Sequence, residues 1–338
     1  MSSTSTAQRT TIAKALNGGM RAAMERDPKV VLMGEDIGKL GGVFRITEGL
    51  QKDFGEDRVI DTPLAESGIM GTAVGLALRG YRPVVEIQFD GFVYPAFDQI
   101  VSQVAKMHYR SLGKLKLPMV IRIPYGGGIG AVEHHSESNE SYFAHTAGLR
   151  VCTVSTTEDA YWMMQQAIAS DDPVVLYEPK RRYHERGVLD LAGGVPDLAD
   201  APYRMDQAVV RAEGTDVTVL TYGPMVKVAL AAAQASELED GPSIEVVDLR
   251  SLSPLDLDVI EESVNKTGRC VTLSEAQTFA SITSELAAHV QEACFYHLEA
   301  PVLRVGGYNI PYPPSRHEEV FLPDLDRVLH AVETVLDY

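Results

Sequence analysis

Cysteine is scarce in this 338-residue chain, and the three present, Cys152, Cys270 and Cys294, stand far apart. None has a partner at the close spacing of a metal-ligand set, and nothing suggests a disulfide frame. Sparse, scattered thiols indicate a reducing compartment, so a cytoplasmic location is expected. Basic charge is also short: 30 Lys and Arg against 47 Asp and Glu give a formal net charge of −17. That balance disfavours nucleic acid and anionic membranes as partners and leaves a basic protein open. No apolar run is long enough to span a bilayer, and no GxxxxGK[ST] phosphate loop occurs. Heptads, short-period repeats and low-complexity tracts are missing as well. The N-terminal MSSTSTAQRTT is polar, without an apolar signal core, and is expected to be a frayed tail rather than a targeting segment.

What is there is ordinary globular composition, 45% hydrophobic and 23% charged, in a chain long enough for two domains. Residues 10–26 place Ile12, Leu16, Met20 and Met24 on one helical face, behind an N-cap at Thr10 or Thr11. A strand at Val30–Met33 runs into Gly34-Glu35-Asp36, a glycine-rich loop over 38–45 and a helix near Thr47–Phe54. The stretch DTPLAESGIMGTAVGLALRG (61–80) follows a strand end at Arg58–Ile60 and turns at Pro63. Beyond the turn, Ile69, Ala73, Leu76, Ala77 and Gly80 recur at spacings of three and four, with small residues between. That pattern predicts a helix packed closely on its neighbours, with no solvated face. After it come a strand from Pro83, an aromatic turn at Phe89–Phe92, a helix from about Pro95 to Arg110, and a strand over 118–124. The run GGGIGAVEHHSESNES, a strand at Val151–Val154, a helix to Ile168 and a strand over 173–179 complete the first half.

Residues 187–205, rich in Gly, Pro and Asp and without periodicity, read as a connection between domains. A second alternation follows, with strands at 217–221, 244–248, 270–274 and 302–305. Its helices are expected over 226–236, 256–265, 281–293 and 324–336. Apolar runs without period-two alternation, separated by helices, indicate parallel sheets covered on both faces. The expected organisation is therefore two α/β domains, residues 1–186 and 209–338, joined by a linker over 187–208.

In such sheets ligands collect at the carboxyl ends of the strands. Glu35, Glu66, the turn from Gln88 to Phe92, and His135 all follow predicted strand ends. Glu66 lies in the first turn of a nearly apolar helix, where a buried acid needs a partner or complements the helix N-terminus. GGGIGA (126–131) only superficially resembles a dinucleotide fingerprint, since no helical pattern follows it; it reads as a flexible loop for close backbone approach. His134 and His135 are poor metal ligands, being adjacent and without a third donor nearby. Beside three glycines and a Ser/Glu/Asn cluster, one of them is a credible acid–base group and the other a surface histidine. Phe89 and Phe92 are placed to stack on a flat ring, whereas Phe97 belongs to the core. The basic run KRRYHER (180–186) reads as a solvated or interface face.

These segments occur in order along nearly the whole chain: GEDIGKLGGVFRITEGL, DTPLAESGIMGTAVGLALRG, EIQFDGFVYPAFDQI, EHHSESNESYFAHTAGLRV, DPVVLYEPKRRY, GTDVTVLTYG, VVDLRSLSPLD and KTGR. Together they resemble the beta subunit of the thiamine-diphosphate-dependent, decarboxylating component of 2-oxo acid dehydrogenases. EIQFDGFVYPAFDQI and the EPK at 178–180 look more like the branched-chain members than the pyruvate members. The resemblance implies a transketolase-like fold, with a pyrimidine-binding first domain and a transketolase C-terminal-like second domain. The diphosphate, held through magnesium by a GDG-to-Asn motif, falls to a separate alpha subunit; no such motif occurs here. The implied assembly is an alpha2beta2 heterotetramer, inactive without its alpha subunit.

By resemblance Glu66 bonds the pyrimidine ring nitrogen and promotes the imino tautomer, through which the cofactor's own amino group takes the thiazolium proton. A partly buried carboxyl, inclined to hold a proton, suits that task. Leu64 and Ala65 offer backbone contacts, Glu35 lines the pocket, and Gln88, Phe89, Asp90, Gly91 and Phe92 form the loop over the pyrimidine. Phe92 stands where the branched-chain pattern has tyrosine, which keeps a stacking surface but removes a hydroxyl. His135 matches the histidine that assists acyl transfer to the lipoyl disulfide. Potassium binding through the backbone carbonyls of Leu117, Met119, Val120, Ala167, Ser170 and Asp172 is implied too. Further partners are the lipoyl domain and a small basic subunit-binding domain of the acyltransferase core, which the acidic charge would suit. The alternatives are the same role for pyruvate, a self-contained ketol transferase, and an inactive scaffold homologue.

Overall fold

The computed structural model describes residues 7–190 and 197–338. The first half supplies strands β1 (Ala7–Thr11), β2 (Val30–Gly34), β3 (Val59–Asp61), β4 (Arg82–Glu86), β5 (Val120–Tyr125), β6 (Arg150–Thr153), β7 (Val174–Pro179) and β8 (Arg186–Asp190). The second supplies β9 (Val209–Ala212), β10 (Val217–Thr221), β11 (Ile244–Asp248), β12 (Ser251–Ser253), β13 (Cys270–Gln277) and β14 (Leu303–Gly307). The larger sheet runs β12-β6-β7-β5-β4-β2-β3 and is parallel except for β12, which the second half lends to its edge. The smaller runs β14-β13-β10-β11-β9, parallel except for β9.

Helices on both faces explain why β5 and β7 are buried at every position. Successive side chains point to opposite faces, so Ile121 and Ile123 join Met70, Ile100 and Phe143 on one side, while Val120 joins Leu16, Met20 and Met163 on the other. Thr11 caps the helix Ile12–Arg26 by accepting from the Lys14 amide, as its sequence indicates.

The two sheets meet carboxyl end to carboxyl end. Tyr125, closing β5, packs so tightly on Gly223 beyond β10 that a Cβ there would lie 2.0 Å from its hydroxyl. Arg250 bonds Asp159 at 2.8 Å, and Arg211 bridges Asp159 (2.5 Å) and Asp248 (3.0 Å), tying the segment after β6 to β11. The second domain thereby covers the carboxyl ends of β5, β6 and β7. Those of β2, β3 and β4 stay uncovered.

Several expectations need correction. Residues 7–11 are not frayed, because β1 pairs antiparallel with β8. The same pairing makes 187–190 strand rather than irregular connection; residues 1–6 and 191–196, also within the tail and linker readings, lie outside the described residues. The single helix expected from Pro95 to Arg110 is three segments: a 3-10 run Asp90–Ala96, a π-helical stretch Gln99–Val104 and an α-helix Ala105–Arg110. The helix Glu66–Leu78 buries Glu66, Ile69, Met70, Ala73 and Ala77 but leaves Ser67, Gly68, Gly71, Thr72, Gly75 and Leu78 exposed. Its small residues imply a close neighbour, and among the described residues none lies against Gly71 or Gly75 on this face. The basic run, expected as a solvated or interface face, is both: His184 and Arg186 are exposed, whereas Lys180 is buried against Asp90 (2.9 Å), and Arg181 with Glu275 (2.9 Å) and Arg182 with the Pro224 carbonyl (2.8 Å) join the halves of the chain.

Candidate active site

The order of the larger sheet reverses between β2 and β4: the chain leaves β2 for β3 on one side and returns to β4 on the other. That reversal opens a crevice at the strands' carboxyl ends, the usual ligand position in such sheets. Glu35 follows β2, Glu66 follows β3 and Gln88 follows β4, so strand order brings together three residues far apart in sequence.

Glu35 and Glu66 are each 8% exposed. Burial, then the negative charges of Glu66 and Asp36, push the Glu35 carboxyl above its usual range. Its Oε1 has no hydrogen-bond partner. Among the described residues no side-chain hydrogen bond or ion pair reaches Glu66. Two buried acids lacking partners are costly unless something else supplies them. Beside them Leu64 is 79% exposed and Ala65 is exposed too, leaving the helix start accessible. Gln88 donates to the Glu35 carbonyl at 3.4 Å and ties the β4 loop to the β2 loop.

His135 is held edge-on between Phe89 (ring centroids 4.3 Å) and Phe92 (5.1 Å). Phe44, from the glycine-rich loop after β2, packs edge-on against Phe89 at 5.4 Å and was not singled out by the sequence reading. Its only signal was an aromatic in a loop between strand and helix. Gly91 makes this arrangement possible: a Cβ there would lie 2.6 Å from the His134 carbonyl oxygen. Burial, then Lys180 and His134, lower the His135 pKa and favour its neutral ring, and its Nδ1 lacks a partner. His134 instead points outward and pairs with Glu133 at 3.1 Å.

Asp90, expected in the pocket, does not face it. Its carboxylate is fully buried on Lys180, and its backbone carbonyl accepts from Asn139 at 2.9 Å. Burial raises the Asp90 pKa to about 7 and lowers that of Lys180, each opposed by the partner's charge. The pair anchors the loop from beneath. Under it, Arg122 bonds Glu86 (2.6 Å) and Glu178 (2.7 Å), and Tyr183 donates to Glu178 (2.7 Å).

The carbonyls expected to bind potassium cluster at the opposite, amino-terminal end of the sheet. There the Met119 carbonyl accepts from the Val174 amide (3.0 Å), Ala167 from the Ser170 amide (3.3 Å), Ser170 from Arg82 (2.9 Å) and Asp172 from the Ser170 hydroxyl (3.0 Å). Leu117 and Val120 are buried beside them. A cavity of about 450 Å³ beside β8 is lined by Ser155, Thr156, Glu158 and Arg211, away from these acids. Its Arg211 is committed to Asp159 and Asp248 and is not free for a phosphate.

Comparison with known proteins defines the class first. The transketolase pyrimidine-binding domain matches residues 8–185, and the transketolase C-terminal domain matches residues 206–328. A solved structure described as a split-gene transketolase, inactive beta4 tetramer, shares the fold with a TM-score of 0.76 at 23% identity, covering 96% of this chain and 98% of that one. The particular family follows from sequence. A pyruvate dehydrogenase E1 component subunit beta of Leifsonia xyli is 56% identical, covering 96% of this chain and 94% of that protein. A 3-methyl-2-oxobutanoate dehydrogenase subunit beta of Mycobacterium tuberculosis is 53% identical, covering 97% and 92%. The chain belongs to the E1 beta subunits of the thiamine-diphosphate-dependent 2-oxo acid dehydrogenases.

Proposed function

We propose that this chain is the beta half of a cytoplasmic alpha2beta2 enzyme that oxidatively decarboxylates branched-chain 2-oxo acids and passes the acyl group to lipoyl groups of an acyltransferase core. The observation that carries the proposal is the pair Glu35 and Glu66 at the ends of β2 and β3, both buried, with no partner on Glu35 Oε1 and, among the described residues, no side-chain bond to Glu66. The chain has no diphosphate-binding motif, so the other half of the cofactor falls to the alpha subunit, with magnesium. The exposed small-residue face of the Glu66–Leu78 helix is the surface proposed to meet that subunit.

The donor set fits an aminopyrimidine. Glu66 offers a carboxyl to a ring nitrogen, and beside it burial and the neighbouring acids raise the pKa of Glu35. Backbone at Leu64 and Ala65 is accessible for further contacts, and Phe89 and Phe92 give a wall that excludes water. Thiamine diphosphate, when bound, supplies the carbon nucleophile that decarboxylation requires. His135, kept neutral, must gain a proton before donating it to the leaving lipoyl sulfur. Once charged it is a stronger acid than an ordinary imidazolium, which favours that donation. No step is assigned to potassium.

The branched-chain preference rests on EIQFDGFVYPAFDQI and EPK, since the relatives carry both substrate names. Turnover of 3-methyl-2-oxobutanoate and of pyruvate by the chain co-assembled with its alpha subunit tests it. The branched acid should be preferred by roughly tenfold or more, about 1.4 kcal/mol of discrimination. The reverse preference would make this a pyruvate dehydrogenase subunit. Thiamine-dependent ketol transfer by the chain alone would replace both readings.

A further inference from the structure

The glycine-rich run 126–131, with no part in the chemistry so far, is bound by the second domain. Gly126, Gly128 and Gly130 take φ of +81°, +83° and +71°, a backbone that turns successive amides inward. Such concave amide clusters bind anions. Here the anions are carboxylates of the same chain. Glu318 accepts from the Gly128 amide through Oε1 (2.7 Å) and from the Gly130 amide through Oε2 (3.0 Å). Glu275, at the end of β13, accepts from the Gly127 amide. Both acids are buried, Glu318 at 7% and Glu275 at 3% exposure. Tyr312 donates to Glu318 Oε1 at 2.6 Å, and Arg181 pairs with Glu275.

Side chains larger than hydrogen are barred at the same points. A Cβ on Gly127 would lie 1.7 Å from the Tyr312 hydroxyl, and one on Gly128 would lie 2.6 Å from the Arg181 side chain. The loop then closes on itself through the Gly126 amide and the Glu137 carbonyl (2.9 Å), and between those ends it carries the 3-10 turn Glu133–His135.

We propose that Glu318 and Glu275 form a latch: positioning residues by which the second domain fixes the loop that presents His135 for acyl transfer. Bonds to an ionised acceptor are about twice as strong as neutral ones, and one carboxylate spanning two amides fixes direction as well as distance. Without the latch the alternating positive-φ glycines leave the loop many conformations. His135 would then be held by its packing on Phe89 and Phe92 and by the bonds of the Gly126 amide and the Tyr94 hydroxyl to Glu137.

The proposal rests on the acyl-transfer role given to His135, and the test separates the two. In the assembled enzyme, Glu318→Ala is expected to speed hydrogen–deuterium exchange across residues 126–137. Lipoyl acylation should fall about tenfold in kcat, while decarboxylation with an artificial electron acceptor stays within about twofold. Glu318→Gln keeps the shape but turns an NH2 toward one of the two amides, so it should give an intermediate effect. If the alanine variant does not assemble, Glu318→Gln and Tyr312→Phe carry the same readouts. Unchanged exchange, faster exchange with normal acylation, or equal loss of both activities would overturn the latch. His135→Ala, assayed in parallel, judges the other premise: intact acylation there removes the role of His135, while exchange still reports whether the latch holds the loop.

Discussion

At the reversal between β10 and β13 the crevice of the smaller sheet is filled by the chain itself, with Tyr222 on Glu140 (2.6 Å) and Glu275 on the Gly127 amide. At the reversal between β2 and β4 the buried Glu35 and Glu66 stand at the strand ends, and among the described residues no side-chain partner reaches Glu66 or Oε1 of Glu35. Both crevices hold buried carboxylates, and the difference lies in who supplies the counter-group. At the seam Asp159 has two arginines and Glu275 has Arg181 and the Gly127 amide, and inside the first domain Asp90 has Lys180 and Glu178 has Arg122 and Tyr183. Acids paired within the chain hold it together, whereas among the described residues no side-chain partner reaches Glu66 or Oε1 of Glu35.

Removing a seam acid should therefore cost stability. Asp159→Ala would leave Arg250 without its carboxylate and Arg211 with Asp248 alone, and we expect a loss of about 3–5 kcal/mol in denaturant unfolding of the chain. Removing a crevice acid should instead cost turnover. Glu66→Ala is expected to lower decarboxylation by the assembled enzyme about 10²–10³-fold while the melting temperature of the chain does not fall. A marked loss of stability in Glu66→Ala would erase the distinction between the two crevices.

His135 tests the comparison by pH. Burial, Lys180 and His134 hold its pKa below the ordinary imidazole range, so the proton-donating form is gained only as pH falls through that lowered value. Lipoyl acylation should rise toward acid pH in the wild type. His135→Ala should lower it about tenfold and flatten the profile.

The smallest effect concerns Glu35. A carboxyl raised on folding binds a proton more tightly in the native state than in the unfolded one, so stability falls as pH rises from the ordinary glutamate range through the raised value. Glu35→Gln removes that loss and should stabilise the chain at neutral pH, with no gain below about pH 4. Thermal melts at both pH values decide it. A destabilised Glu35→Gln at neutral pH would mean that the acid has a partner within the chain.

Much of the fold was legible because its evidence is local. Val217–Thr221 and Ile244–Asp248 are strands where their apolar runs stand, and the Ser281–Ala293 and Asp324–Leu336 expectations differ from the observed helices only at the first residue. β9 and β12 were missed. They are short edge strands that pair antiparallel, and β12 takes its place only because the second domain folds onto β6. The partner of Asp90 was not legible for a related reason: its neighbours belong to an aromatic loop, but Lys180 lies ninety residues away. The open face of the Glu66–Leu78 helix has the composition of a buried one, and composition does not say whether the covering surface belongs to the same chain.

By itself the sequence determined the alternation of strand and helix, the parallel sheets, and the residue types at the strand ends, because periodicity and turn chemistry act between neighbours. Tertiary structure alone decided which acids would be satisfied. Strand order chose Lys180 for Asp90 and brought Glu318 to the glycines, and it left Glu35 and Glu66 facing an uncovered crevice. A buried charge is stable or reactive according to what lies within about 3 Å of it in space, and spacing along the chain does not fix that distance.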